Sequence, residues 1–160
     1  MEYFVIETDD RRSKPLKISL LESELKSEEP ITKKINVSQE GMVCEVEYVD
    51  FISSPIPLFS DKFKDIASTY YPDLNWRPIF VVTKDKNLVY WLLEEEIVEE
   101  VVEEDEDKQI KIKKEELEDR TLFIAKLGKF KKITIVPLAL AESILRNNLS
   151  GIRMKKLKQY

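Results

Sequence analysis

The hydrophobic pattern divides the chain into short segments of alternating or continuous apolar residues, which are typical of β-strands. An opening strand is predicted over residues 2–7, and later strands over residues 31–37, 43–49, 108–113, 122–126, 133–136 and 152–157. Residues 38–41 supply turn-forming side chains between the second and third of these strands. Residues 16–25 are apolar enough to join the core, but their pattern does not distinguish a helix from a strand.

The middle of the chain predicts a β-hairpin. Residues 78–83 and 88–93 are largely apolar, and the polar sequence KDKN joins them. Because both runs are nearly all apolar, we expect the hairpin at the centre of a sheet that is covered on both faces. Trp76 and Trp91 lie beside these runs and are expected to be mainly core residues.

Two helices are predicted, over residues 60–71 and 137–149. Ser60 is a suitable N-cap for the first helix, and Pro72 ends it. The second helix begins with a proline, which the first turn tolerates, and Gly151 is its predicted C-terminal stop. One face of this second helix is formed by Leu138, Ala141, Leu145 and Leu149.

Residues 51–60 contain two prolines within three positions, so they are predicted to form a loop whose apolar side chains point inward. Strands with two interspersed helices predict an α+β fold with a mostly antiparallel sheet. A length of 160 residues suits one domain, which we expect to span residues 1–160.

The composition excludes several classes of enzyme. The absence of histidine removes nucleophiles that depend on a histidine base, and also the usual zinc enzymes. Three glycines are too few for a phosphate-cradling loop of the GxGxxG or GxxxxGK type. The single cysteine, Cys44, lies among apolar residues and is expected to be buried and unreactive. We therefore expect a protein that is not an enzyme and has no catalytic residues, no cofactor and no metal site.

The N-terminal sequence has an acidic start and only a four-residue apolar run, unlike a secretory signal. No window approaches the roughly 20 apolar residues of a membrane span. We expect a cytoplasmic protein with no membrane partner.

Charge is unevenly distributed along the chain. Residues 94–107, which we call the acidic segment, contain ten acidic residues and no Lys or Arg. The rest of the chain has 26 basic and 21 acidic residues, and residues 120–160 alone have ten basic residues against one acidic. The formal net charge of −5 therefore conceals two regions of opposite sign.

The acidic segment has two interpretations as secondary structure. Helical periodicity would place its isoleucine and valines on one side, whereas their β-branched side chains favour a strand. We expect a strand that continues from the hairpin, followed by a loose loop over residues 103–107.

The acidic segment is also the predicted binding surface, because a strong field of one sign speeds association with a cationic partner. The residues expected to contact this partner are Glu94, Glu95, Glu96, Glu99, Glu100, Glu103, Glu104 and Asp105. The alternative interpretation is a solvated flank that balances the basic C-terminal third. Calcium is a lesser candidate ligand, since the run lacks the spaced ligand order of an EF-hand.

The basic residues near the C-terminus are candidates for phosphate contacts. They are Lys129, Lys131, Lys132, Arg153, Lys155, Lys156 and Lys158. We nevertheless expect no nucleic-acid partner, because an acidic chain repels nucleic acid at long range and no aromatic-rich RNA-binding signature is present. These residues are expected to be surface, or to lie against the acidic segment.

The sequence AESILRNNLSGIRM, residues 141–154, resembles the closing segment of a family of bacterial immunity proteins from polymorphic toxin systems. The similarity includes Trp76-Arg77-Pro78-Ile79 at the start of an apolar strand and Tyr90-Trp91 in the next strand. Members of that family are small cytoplasmic α+β proteins. The resemblance implies binding without catalysis: the protein would occlude a cognate toxin, for which a cationic nuclease-type toxin is one candidate.

Two other functions stay open. A small-molecule-binding or enzymatic domain would use a carboxylate pair with Trp76 or Tyr90 in a pocket. An adaptor or assembly protein would form a symmetric interface, although no oligomeric state follows from the sequence.

Overall fold

The computed structural model describes residues 1–9, 11, 18–34, 48–83 and 86–160. Within these ranges the chain forms the helices α1 (Glu22–Lys26), α2 (Asp61–Tyr70) and α3 (Leu138–Arg146), and a 3₁₀ helix at Lys114–Leu117. The strands are β1 (Tyr3–Thr8), β2 (Ile31–Lys34), β3 (Phe51–Ile52), β4 (Leu58–Ser60), β5 (Trp76–Val82), β6 (Asn87–Leu93), β7 (Val102–Glu104), β8 (Ile110–Ile112), β9 (Phe123–Leu127), β10 (Lys131–Pro137), β11 (Ile152–Lys156) and β12 (Lys158–Gln159). None of these described helices is long and apolar enough to cross a membrane.

The described strands form three sheets. Sheet 1 has the order β11-β1-β10-β9, sheet 2 has the order β2-β5-β6-β4-β3, and sheet 3 has the order β12-β8-β7. The pairs β2–β5 and β12–β8 are parallel, and the remaining pairs are antiparallel. The predicted α+β fold with mostly antiparallel pairing is therefore confirmed.

Sheet 1 is the central layer of the fold. Ile6 and Val136 lie on the face that packs against α2 and α3, where they share a core with Leu140. Val5 points to the opposite face and shares a second core with Ile112 of sheet 3. Because successive residues of a strand point to opposite faces, this one sheet builds both cores.

Sheet 2 contains the predicted hairpin. Strands β5 and β6 pair in antiparallel register at the middle of the sheet. Ile79 and Val81 are fully buried on one face, but Phe80 on the other face is 40 % exposed. The prediction that both faces are covered is therefore wrong at Phe80. Helix α2 covers the other end of that face, where the Lys64 ammonium lies 4.2 Å from the centre of the Trp91 ring.

Residues 51–60 form two short strands instead of the predicted continuous loop. Strands β3 and β4 pair in antiparallel register, with Phe51 opposite Phe59. The two prolines lie in the connection between these strands, so they leave the flanking backbone free to pair. Both phenylalanines are fully buried beside Phe63 of α2, which confirms that the apolar side chains point inward.

Helix α2 agrees with its prediction. The Phe63 N–H donates a hydrogen bond to the Ser60 hydroxyl at 3.1 Å, which is the geometry of an N-cap. The helix ends at Tyr70, two residues before Pro72.

Helix α3 begins as predicted but ends at Arg146, three residues early. Asn148 has a positive φ of 51°, and its N–H donates to the Leu145 carbonyl at 3.2 Å. The Leu149 N–H donates to the carbonyl five residues back at 3.4 Å, which completes a Schellman motif with asparagine in the position that glycine usually takes. The prediction that Gly151 stops the helix is therefore wrong.

The buried face of α3 also differs from the predicted one. Leu145 is 65 % exposed, and the buried residues are Leu140, Ala141, Ser143 and Ile144. The sequence offers two apolar stripes on this helix. Strand β10 runs into α3 without a loop, and this connection fixes which stripe meets sheet 1.

Some predictions fall outside the described residues. These are the strand over 43–49 apart from its last two residues, the end of the strand over 31–37, the environment of Cys44, and part of the turn at 84–87.

Arg77 of sheet 2 connects this sheet to α1 through hydrogen bonds. It is 6 % exposed, and its guanidinium donates to the carbonyls of Glu24 at 3.0 Å, Leu25 at 2.8 Å and Ser27. The last carbonyls of a helix lack partners within the helix, so Arg77 satisfies them. Its charge is paired with Glu94, the first residue of the acidic segment. Helix α1 has no fully buried side chain, so the contacts of Arg77 hold it to sheet 2 together with the packing of Leu25 and the ion pair between Glu24 and Lys33.

Replacing Arg77 with methionine should destabilise the protein by about 3 kcal/mol, because it removes the donors to three carbonyls and leaves them without partners. The matched change Glu94→Gln should cost less than about 1 kcal/mol, because Glu94 is 40 % exposed and solvent screens its ion pair. Urea unfolding of both variants checks this order. Equal losses of unfolding free energy in the two variants would contradict the importance of the hydrogen bonds from Arg77 to the three carbonyls.

Replacing Gly151 with alanine should destabilise the protein by about 2 to 4 kcal/mol. Gly151 has a φ of 72°, and an added Cβ would lie 2.3 Å from Cγ1 of Val49. Gly128→Ala is the matched control, because its φ is 66° but nothing lies within 4 Å of an added Cβ. The control should therefore cost only about 1 kcal/mol, the backbone part of the penalty. The free energies of unfolding of the two variants would be indistinguishable if the contact with Val49 were unimportant.

Candidate functional site

The acidic segment is fixed to sheet 1 by its backbone. It leaves sheet 2 at the end of β6 and runs beside β9, where Val98 forms a parallel bridge with Ala125. The Val98 N–H donates to the Ile124 carbonyl at 2.9 Å, and the Lys126 N–H donates to the Val98 carbonyl at 2.8 Å. The segment therefore covers the edge of sheet 1 that would otherwise present unpaired backbone groups.

The predicted structure of the acidic segment is wrong in both of its parts. Strand β6 ends at Leu93 and does not continue into the segment, and residues 103–104 are paired in β7 instead of forming a loose loop. The reason is the burial of Val102, which is 7 % exposed. Because Val102 pairs with Ile112 of β8, residues 103–104 continue the same antiparallel pairing. The helical alternative is also absent from residues 94–107.

The apolar residues of the segment divide between two cores. Ile97 packs against the core on the helix side of sheet 1, whereas Val98 and Val101 pack against the core on the sheet 3 side. Between them Glu100 has a φ of 59°, a conformation that costs a non-glycine residue about 1 to 2 kcal/mol. Packing on both sides of the sheet edge thus holds the segment in one conformation.

Three carboxylates of the segment form ion pairs with the three sheets. Glu94 pairs with Arg77 of sheet 2, Glu99 with Lys126 of sheet 1 at 3.5 Å, and Glu103 with Lys111 of sheet 3 at 3.5 Å. Glu99 and Glu103 are each at least 60 % exposed, so these two pairs contribute little stability, typically about 0 to 1 kcal/mol.

Two further carboxylates are engaged by backbone. Glu95 accepts a hydrogen bond from the Asn75 N–H at 2.9 Å. Asp105 accepts from the N–H groups of Asp107 at 3.0 Å and Gln109 at 2.9 Å, and so shapes the turn between β7 and β8. Five of the eight residues predicted to contact a partner therefore have a structural role within the chain.

The other five carboxylates of the segment are exposed and have no ion pair or hydrogen bond with the described residues. We call them the open carboxylates: Glu96, Glu100, Glu104, Glu106 and Asp107. The first three belong to the predicted contact set. The acidic segment contains ten carboxylates, but only five of them lack a partner within the described chain.

A hollow of about 650 Å³ lies beside the open carboxylates. It is lined by Glu96, Ile97, Glu99, Val101 and, on its far side, Arg120. The Arg120 guanidinium lies 5.1 Å from the centre of the Phe123 ring and donates to a carbonyl of the 3₁₀ helix. Arg120 lies more than ten residues after the segment in the sequence, and no local pattern connects them.

A second charged surface spans β11, β1 and β10 of sheet 1. Lys131, Lys132, Arg153 and Lys155 line a hollow of about 590 Å³, which we call the basic cleft. Its carboxylate is Glu7, which accepts a hydrogen bond from Arg153 at 2.7 Å. Partial burial raises the pKa of Glu7, but this bond and the neighbouring cations outweigh it and leave the pKa below its usual value.

Tyr90 and Trp76, the aromatic residues expected in a pocket with a carboxylate pair, both pack against other described residues. Tyr90 is 3 % exposed, its hydroxyl donates to the Val49 carbonyl at 2.8 Å, and burial raises its pKa. Trp76 is half-buried and packs edge-on against Phe59, with ring centres 5.3 Å apart. Within the described ranges, no group of three or more Cys, Asp or Glu residues is placed to hold a metal ion.

The other carboxyl groups with a shifted pKa are also paired with cations. The hydrogen bond from Arg11 lowers the pKa of Asp9 to about 2. The hydrogen bond from Lys156 lowers the pKa of Glu2, and that from Lys33 lowers the pKa of Glu24. These shifts describe carboxylates that are ionised and paired, which is the opposite of a general acid.

No protein-family model matches this chain, and no curated protein sequence matches it significantly. The function of the acidic segment is therefore inferred from its residues and their geometry.

Proposed function

We propose that the protein is a non-enzymatic binding protein that captures a cationic protein partner on its acidic segment. The observation that carries this proposal is the set of open carboxylates, which are exposed, lack partners within the described chain and stand on backbone that is fixed to sheet 1. A field of one sign on a fixed surface raises the rate of association and disfavours acidic partners.

The hollow beside these residues favours an inserted lysine or arginine. Its lining combines apolar Ile97 and Val101 with acidic Glu96 and Glu99. Arg120 also lines it, but the charge of Arg120 is paired with Glu116 at 3.9 Å. A long basic side chain buries its alkyl stem on apolar surface while its charged end meets carboxylates. Such an anchor would slow dissociation after electrostatic steering has formed the complex.

Resemblance suggests the class of partner. Residues 141–154 resemble the closing segment of bacterial immunity proteins, so the partner would be a cognate toxin that this protein neutralises by covering it. A nuclease-type toxin fits the charge, because the surface of such an enzyme that meets nucleic acid is cationic. The open carboxylates would then occupy the path of the phosphates.

The triple change Glu96→Gln, Glu100→Gln and Glu104→Gln should weaken binding of the partner by roughly tenfold or more at physiological salt, mainly through a slower association rate. The control is Glu22→Gln, Glu28→Gln and Glu29→Gln, which removes the same charge from exposed positions far from the segment in sequence. The partner is obtained by affinity capture from the native cells, identified, purified and measured by surface plasmon resonance at several salt concentrations.

The neutralising role has a separate readout. Cells that express the captured protein alone should stop growing, and co-expression of the wild-type chain should restore growth better than the triple variant does. Affinity that is independent of salt and equal for both triple variants would contradict binding through the acidic segment. A captured protein that has no effect on growth would contradict the role in immunity while leaving the binding surface intact.

A further inference from the structure

The basic cleft is a concave surface of one sign. Three strands of sheet 1 contribute to it: Arg153 and Lys155 from β11, Glu7 from β1, and Lys131 and Lys132 from β10. The connection between β3 and β4 forms another wall with Ser53, Ser54 and Pro55. The volume of about 590 Å³ is within the range of sites that accept small molecules or single polymer units, roughly 300 to 1,000 Å³.

The charges of the cleft are not balanced from within. Glu7 pairs with Arg153 at 2.7 Å and with Lys155 at 3.6 Å. Lys131 and Lys132 have no ion pair or hydrogen bond with the described residues. Among the described residues that line the cleft, four cations face one carboxylate and repel one another, and an anion that entered the cleft would relieve this repulsion.

An exposed aromatic ring stands on the rim. Phe130 is 92 % exposed, so it adds almost nothing to the core. It lies in the turn between β9 and β10, which Gly128 allows with a φ of 66°, and Lys129 and Lys131 flank it. A bare phenyl ring between lysines presents a face on which a nucleobase can stack while the lysines meet phosphates.

We propose that the basic cleft binds single-stranded nucleic acid, with its phosphates against Lys131, Lys132 and Arg153 and a base stacked on Phe130. A single strand can enter a concave site and offers unstacked bases, whereas a duplex keeps its bases stacked inside. An anionic membrane is the other polyanion that an exposed phenylalanine and lysines could meet. The cleft disfavours a membrane, because one exposed ring buries little apolar area in a bilayer.

The net charge of −5 does not prevent this binding. The expectation of no nucleic-acid partner was based on the whole chain, whereas a strand meets the local field. The acidic segment lies along the outer edge of β9, so β10 with Lys131 and Lys132 is two strand spacings away, roughly 10 Å, and β11 with Arg153 is four spacings away, roughly 19 Å, at about 4.8 Å per strand. Salt screens charges beyond about 8 Å, so the segment only weakly opposes an anion in the cleft.

The test is fluorescence anisotropy of a short labelled oligothymidylate and a matching oligouridylate with the purified full chain. Binding should weaken with salt, and the double change Lys131→Gln and Lys132→Gln should weaken it about tenfold and lower the salt slope by about 1.4, since each phosphate contact contributes about 0.7. Phe130→Ala should weaken it at least about fivefold, while Phe130→Trp should retain it. Both sites are at the surface, so circular dichroism should show unchanged folding.

The matched control is Lys26→Gln with Lys34→Gln, which removes the same charge from two exposed residues outside the cleft. If both double variants lost the same affinity for the oligonucleotides, the effect would come from net charge alone and the proposal would be overturned. Failure of the wild-type chain to bind either oligonucleotide at low salt would also overturn it. A chain that binds phosphatidylserine vesicles but neither oligonucleotide would also overturn it. The assay needs no protein partner, so its failure leaves the proposed capture by the acidic segment untouched.

Discussion

Burial of both faces of sheet 1 is the constraint on which the rest of the structure depends. Its inner strands supply Ile6 and Val136 to one core and Val5 to the other, so helices must cover one face and sheet 3 the other. These covers bury side chains of the edge strand β9, but the backbone groups on its outer side still need partners. The acidic segment meets that need through Val98, with Ile97 and Val101 packed on opposite sides. A run that composition marks as surface is therefore also part of the core.

The same attachment determines which carboxylates are available. Glu94, Glu99 and Glu103 each reach a cation on a different sheet, so the segment crosses the junction of all three sheets with one ion pair to each. The open carboxylates take no part in these contacts and are exposed. Because apolar packing and backbone bonds fix the segment, its open carboxylates are not required for folding, and their mutual repulsion is a cost that the fold tolerates. The acidic segment therefore contains carboxylates that stabilise the fold and open carboxylates that are available to bind a partner.

Features with a local physical cause were predictable from the sequence, and features made by distant residues were not. Ser60 and the following helix were predicted because a cap and a periodicity lie within a dozen residues. The predicted end of α3 is wrong because Asn148, and not Gly151, has the left-handed conformation that ends the helix. Likewise, the pairing of Glu94 with Arg77 and of Glu7 with Arg153 joins residues far apart in the chain. Eight acids were therefore predicted as a contact set of which the fold leaves three open.

The two charged surfaces stay distinct because sheet 1 separates them. Opposite charges joined by a flexible chain would approach and neutralise each other, as the sequence allowed for the basic C-terminal residues. Here Arg153 and Lys155 belong to β11 and Lys131 and Lys132 belong to β10, whereas the acidic segment runs along the outer edge of β9. Strand β9 therefore lies between the segment and the strands that carry the cations of the cleft. Their own pairing is local instead: Arg153 and Lys155 share Glu7 on the adjacent strand. A single carboxylate shared by two cations leaves excess positive charge in the basic cleft, just as the open carboxylates leave excess negative charge beside β9. Each surface can therefore recognise a ligand of opposite sign without competing with the other.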